Sequence, residues 1–296
     1  MTLRLRIVTF CASLLALLLV HVDVVRRLVV VSRSDETASH LIAVPFVTVF
    51  LIYVARRQVF SSTRWSPYLA LPLIVTGGGF LLAERVGTSL GRDGLSLGLT
   101  LSALLLVCVG GFALFFGGSA VRKAMFPLLF LVFTVPVPTA LLNGATAILR
   151  DGSTATVATL FTLTGTPYYR EGSIFTLPAA TIEVADECSG IRSTIALLLT
   201  SLLAGYMLLT RPLNRALLVA AIIPVTILKN GIRIVALSLL AMHVDPGFLH
   251  GKLHHRGGIV FFLLGLVILA PILLLMLRSE VAPTRRMEAD SEAAVL

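Results

Sequence analysis

Long apolar runs recur along the whole chain, and no other feature restricts its fold so tightly. They fall at roughly 6–25, 39–55, 67–83, 95–117, 124–142, 189–210, 215–242 and 256–278. About 20 predominantly apolar residues are what a helix needs to cross the hydrocarbon core of a bilayer. Lipid offers no partner to an open backbone group, so only helices and closed barrels span it. Continuous runs, rather than two-residue alternation, select helices. Composition agrees: 57% of the residues are hydrophobic and 13% charged, against about 45–50% and about 25% in soluble domains. Mean hydropathy is +0.96. The expected fold is an all-α membrane protein of about eight transmembrane helices. One polytopic domain covers 1–278, and a polar, disordered cytoplasmic tail follows over 279–296.

The net charge of +9 belongs to membrane topology rather than to nucleic acid. Lys and Arg sit in short clusters between apolar runs, as in "ARRQ" (55–58), "VRK" (121–123) and "TRPLNR" (210–215). Such clusters orient helices by the positive-inside rule. No basic helical face interleaved with aromatics appears, so nucleic acid is not an expected partner. Both termini are placed in the cytoplasm, although Arg26 and Arg27 then fall outside and oppose the rule. The segment "MTLRLR" and its apolar sequel show no small-x-small cleavage site before Asp23 and Arg26, which predicts an uncleaved first helix. Cys11, Cys108 and Cys188 are odd in number and widely scattered, so neither a disulfide framework nor a CxxC metal site is expected.

The longest external segment is 143–188. It begins with a Thr- and Ala-rich stretch (144–164), read as a re-entrant or interfacial helix. It continues through "GTPYYREGSIFTLPAATIEVADE", whose turn residues and alternation predict a short external hairpin before the sixth helix.

Three polar features interrupt the last three spans. The first is "EVADECSGIRS" (183–193), which puts Cys188 where the external segment enters the sixth helix. Unpaired N–H groups and the positive dipole end lower a thiol's pKa there, and Arg192 one turn on adds charge. The second is "LKNGIRI" (228–234) inside the seventh span. Lys229, Asn230 and Arg233 are costly against lipid and must face protein or water. Their spacing lets one helical stripe carry all three. Arg233 lies about 13 Å from the external end of that span, where a guanidinium can stabilise a developing oxyanion. The third is "HGKLHHRGG" (250–258) at the external start of the eighth span. His254 or His255 can serve as general base and acid. The topology brings Cys188, Arg233 and His254 to one leaflet from three helices.

"FPLLFLVFTVPVP" (126–138), "REGSIFTLP" (170–178), "IEVADECSGIRS" (182–193), "NGIRI" (230–234) and the His-x-x-x-Gly of His254 to Gly258 resemble, in order, the conserved blocks of the exosortase/archaeosortase family. The resemblance covers roughly 125–265, and the first four helices match only as generic spans. It implies an eight-helix membrane cysteine protease or transpeptidase of the cell inner membrane, with its site facing the external, periplasmic side. Such enzymes cleave a C-terminal sorting signal of short motif, transmembrane helix and basic cluster on exported proteins, which would be this chain's partners together with lipid and an unknown acceptor. Carried across, Cys188 is the nucleophile, Arg233 the transition-state stabiliser and His254 the acid/base, chosen over His255 by its spacing to Gly258.

Asn230, Arg192, Glu183 and Glu187, with Asp186, are secondary candidates. The acids would position the histidine or the substrate's basic or amino groups. His250 and His254 stand one turn apart and can share a metal, but no HExxH accompanies them, and no metal or cofactor is expected. "GTSLG" (87–91) and "GLSLG" (94–98) mimic a hydrolase elbow without its strand-turn-helix setting, and helix packing accounts for them. The rival function is a non-catalytic transporter or assembly subunit whose Lys229 and Arg233 bind an anionic substrate. Inverted repeats of the transporter kind are not visible in the sequence.

Overall fold

Proline has no N–H to donate and drives the residue before it out of the helical region. In "VPVP" this ends the fifth apolar run: Val135 is extended at φ −85°, ψ 128°. The chain divides there into two units, Met1–Pro138 and Thr139–Leu296. The computed structural model describes residues 2–63, 65–89, 96–178, 180–185, 190–245, 247 and 258–293.

The first unit contains α1 (Leu3–Val20), α2 (Val22–Ser34), α3 (Ala43–Val54), α4 (Arg56–Val59), α5 (Pro67–Ser89), α6 (Leu97–Lys123) and α7 (Met125–Phe130). A 3-10 turn extends α7 to Thr134. Its spine is the antiparallel pair α5 and α6. Gly77 rests on Ala103 and Val107, and Gly110 on Leu73 and Ile74; a Cβ at Gly77 would stand 2.6 Å from the Ala103 carbonyl oxygen. Small residues of this kind let membrane helices approach closely. Helix α6 kinks at Gly117 (φ 85°, ψ 171°), a conformation essentially reserved for glycine. Beside the kink, Arg6 Nη1 donates to the Phe115 carbonyl at 2.9 Å. Lys123 Nζ donates to Ser61 Oγ at 2.6 Å, so the basic clusters at 55–58 and 121–123 share one end of the unit. Arg27 of α2 meets the buried Glu84 of α5 at 3.2 Å.

The second unit contains α8 (Thr139–Leu163), β1 (Tyr169–Glu171), β2 (Ile174–Thr176), β3 (Thr181–Glu183), α9 (Ile191–Leu208), α10 (Pro212–Ala220), α11 (Ile222–His243) and α12 (Gly258–Ala293). The strands form one antiparallel sheet in the order β1-β2-β3. Glu171 pairs with Ile174, which leaves a two-residue turn whose Gly172 takes φ +62°, as tight hairpins demand. Phe175, Ile182 and Val184 turn inward onto Val157 and Phe161 of α8 and Val235 of α11. The sheet is thereby seated on the same stretch of α11 that carries the polar stripe.

The all-α membrane class holds, but the spans differ from the expected eight. Among the described residues six helices are long and apolar enough to cross a membrane, or seven if the broken stretch 125–163 counts as one span. The first run breaks at His21 (φ −111°, ψ 35°) into α1 and α2. The second forms only the 12-residue α3. The Thr-rich stretch at 144–164, expected as a re-entrant or interfacial helix, forms most of the 25-residue α8, and its apolar length fits a broken span or a re-entrant loop. Its hydroxyls donate to carbonyls four residues back, as Thr154 does to Arg150, Thr156 to Gly152 and Thr159 to Ala155. A self-satisfied hydroxyl costs little inside a helix bundle, although it lowers hydropathy. The polar tail read as disordered continues α12 through Ala293; its Ala, Glu, Met and Arg are strong helix formers. Near the start of that tail, Glu280 accepts from the Thr210 and Arg211 amides at 2.7 and 3.0 Å and from Asn214 Nδ2 at 2.8 Å. It thereby ties the backbone leading into α10, and the Asn214 side chain of its first turn, to α12.

Candidate active site

Helix α11 crosses the second unit with three polar residues in its middle, and each is placed by a different neighbour. Lys229 is 1% exposed and Asn230 0%, as an intramembrane cation and amide require when lipid is the alternative. Lys229 Nζ donates to Ser193 Oγ in the first turn of α9. Asn230 Nδ2 donates to the buried Ser153 Oγ of α8 at 3.0 Å. Arg233, half-buried, holds its guanidinium carbon 5.6 Å from the Phe261 ring centre on the first turn of α12, within cation–π range.

The start of α9 is built to come close. Gly190, its cap, has φ +76°, a left-handed conformation natural to glycine. Its carbonyl accepts from Ser193 Oγ at 2.8 Å and Thr194 Oγ1 at 2.9 Å. A Cβ there would stand 3.2 Å from Asn230 Oδ1 and 3.5 Å from Lys229 Nζ. Glycine therefore lets the backbone entering α9 lie directly on the polar stripe. The other faces are equally close. A Cβ at Gly231 would meet Thr156 Cγ2 of α8 at 2.5 Å, and one at Gly265 of α12 would meet Leu197 of α9 at 2.9 Å and the Lys229 stem at 3.4 Å. Three helices, α8, α9 and α12, converge on one turn and a half of α11.

Of the sequence candidates, Arg233, Asn230 and Arg192 are described around this convergence. Arg192 lies exposed in the first turn of α9, and Glu183 is exposed on β3. Cys188, His254, His255, Glu187 and Asp186 lie outside the described residues, as does His250. Cys11 is exposed on α1 and Cys108 half-buried on α6. Sequence reading missed Ser153, Ser193 and the glycines at 190, 231 and 265. A signal for α8 was present in Gly152 and Thr156, small residues spaced by four. It was obscured by the Arg150–Asp151 pair, 3.2 Å apart in the middle of the helix.

No curated protein and no solved structure gives a significant match to the chain. The family model of the transmembrane exosortase (EpsH) matches residues 31–271. The resemblance thus reaches back beyond the expected 125, through α3, α5 and α6. A match over most of the chain supports a membrane transpeptidase-type role and substrates among exported proteins that carry a sorting signal. The chain belongs to the transmembrane exosortase family.

Proposed function

We propose that this protein is a membrane-embedded cysteine transpeptidase or protease that cuts the C-terminal sorting signal of exported proteins. The observation that supports this most is the convergence on α11. Gly190, two residues after Cys188, lies against Lys229 and Asn230. Phe261, seven residues after His254, lies against Arg233. In this reading the segment that enters α9 at Gly190 is the one that carries the nucleophile. Its Cys188 thiolate attacks the scissile carbonyl, and Arg233 stabilises the oxyanion through its fork of donors. His254 accepts the thiol proton and returns it to the leaving amine. The carbonyl carbon keeps its new bond to sulfur, leaving a thioacyl enzyme for an amine acceptor or water.

The deciding experiment traps that intermediate. The full chain, incubated in membranes with a substrate protein, is expected to carry a substrate fragment on Cys188 that neutral hydroxylamine releases. Substrate cut without any hydroxylamine-labile adduct on Cys188 rules the thioacyl route out.

The side of the membrane follows from the same reading, since an enzyme acting on exported proteins works outside the cell. Ser173, in the β1–β2 turn, and Pro212, at the start of α10, should lie on opposite sides. Cysteine at 173 is expected to react with an impermeant maleimide added to intact cells, whereas cysteine at 212 is expected to react only after permeabilisation. The reverse pattern would place the site in the cytoplasm.

A further inference from the structure

The three-stranded sheet ends on β3, and the hydrogen-bond register decides what that edge presents. The Val184 amide donates to the Ser173 carbonyl at 3.0 Å, and the Leu177 amide to the Ala180 carbonyl at 2.8 Å. Between them Phe175 stands opposite Ile182. In an antiparallel ladder the pairs that exchange bonds alternate with those that do not, so Ala180, Ile182 and Val184 direct their backbone groups toward β2. Thr181 and Glu183 direct theirs the other way. Both are exposed, while Ile182 between them is buried. Among the described residues no hydrogen bond reaches their outward N–H and C=O groups. An edge of this kind is a template for one more strand.

The opposite edge offers less. Ile174 and Thr176 of β2 turn toward β1, opposite Glu171 and Tyr169, so Arg170 is the one β1 residue whose backbone points outward. Its side chain folds back, with Nε donating to the Gly172 carbonyl at 2.8 Å. Position separates the two edges further. Strand β3 is the one next to Gly190 in the chain, and Gly190 lies on Lys229 and Asn230. Ile182 and Val184 pack in one cluster with Val235 of α11, two residues beyond Arg233. A chain laid along β3 therefore runs beside the helix stretch that carries the polar stripe.

We infer that the outer edge of β3 is a docking strand for the substrate: the extended segment just ahead of the substrate's transmembrane helix pairs through its backbone with Thr181 and Glu183. The inference rests on the proposed function, whose substrate carries its short motif in that segment. An extended backbone leaves each carbonyl open to attack, whereas a helix ties its carbonyls into its own hydrogen bonds. Backbone pairing supplies affinity without dictating sequence, and alternate side chains supply the specificity. Residues of the peptide opposite Thr181 and Glu183 share the exposed face of the sheet with them. The residues between point with Ile182 and Val184 toward the helices.

The test maps the register. The probe is a reporter ending in the C-terminal sorting signal of an exported protein from the same cell. The full chain carries Cys11→Ala, Cys108→Ala and Cys188→Ala, so that the reporter stays uncut, together with either Thr181→Cys or Glu183→Cys. Single cysteines are walked one residue at a time through the segment ahead of the reporter's transmembrane helix, and disulfides formed on oxidation are read on non-reducing gels. Cross-links are expected at every second reporter position, since alternate side chains share a face. The strongest one should shift by two residues between the two variants. Cross-links spread evenly over successive positions, an unshifted maximum, or none at all refute strand addition.

Glu183→Pro, in the chain with its own cysteines, gives a second reading, because an edge strand accepts proline where the N–H faces away from the sheet. It is expected to raise the KM for the reporter about fivefold with little change in kcat, the effect of one lost backbone hydrogen bond. Glu183→Ala loses the same side chain but keeps the N–H, and should raise KM less. Equal effects of the two would give Glu183 a side-chain role and overturn the pairing. Should Glu183→Pro fail to accumulate, the cross-link pattern decides alone. The unaltered chain incubated with the same reporter separates the two claims. No cleavage overturns the proposed function and the inference with it, whereas cleavage without alternating cross-links overturns the docking strand alone.

Discussion

Cys188→Ala is expected to abolish processing, with the substrate protein accumulating uncut in the membrane on its C-terminal helix. Removing the nucleophile of a covalent enzyme costs on the order of a millionfold in turnover, which in a cell reads as complete loss. Cys188→Ser should be nearly as inactive. A hydroxyl is far less acidic than a thiol, and a site arranged to favour a thiolate does little for it. Cys11→Ala and Cys108→Ala should leave processing intact, since those residues sit on α1 and α6 of the first unit. His254→Ala should lose more activity than His255→Ala, both proteins accumulating normally. Immunoblots of the substrate in each strain decide the matter. Normal processing in the Cys188→Ala strain ends the enzyme reading and favours the transporter alternative. Equal losses from the two histidine variants leave the acid/base role with the pair rather than with His254.

The second large effect concerns Arg233. If its guanidinium binds the oxyanion through two donors, Arg233→Lys should lower turnover by about 10²–10³-fold, the usual cost of removing one oxyanion donor. An ammonium keeps the charge but has a shorter reach and no planar fork. The same substitution weakens the contact with Phe261, so a structural effect must be separated from a chemical one. The thioacyl adduct provides the separation. A slower approach to the adduct with unchanged accumulation of the variant assigns the loss to acylation. Near-normal turnover reduces Arg233 to a source of charge. Loss of the protein from the membrane would make it a packing residue instead.

The distribution of these residues explains what was legible beforehand. Apolar runs of span length, the turn residues and alternation of 165–187 and the costly charges of α11 all act through local or one-dimensional physics. Hydrophobicity, missing N–H groups and the price of burying charge depend on residue type alone. They therefore determined the helical membrane class, the β-hairpin and the need for Lys229, Asn230 and Arg233 to avoid lipid. Helix α8 was legible as a helix but not in its full length: its threonines look polar along the sequence, yet they satisfy their hydroxyls within the helix.

Pairings between distant segments had no such signature. That Lys229 would reach Ser193, Asn230 reach Ser153 and Arg233 lie over Phe261 depended on how four helices pack. Packing at that distance is decided by shape, through glycines 190, 231 and 265, where a single Cβ would collide with the neighbouring helix. A glycine in a sequence shows that close approach is possible but not what approaches. The sequence by itself thus determined which residues had to be hidden from lipid. Only the tertiary structure decided which partners would hide them, because a contact between distant helices is set by the packed shape of all of them together.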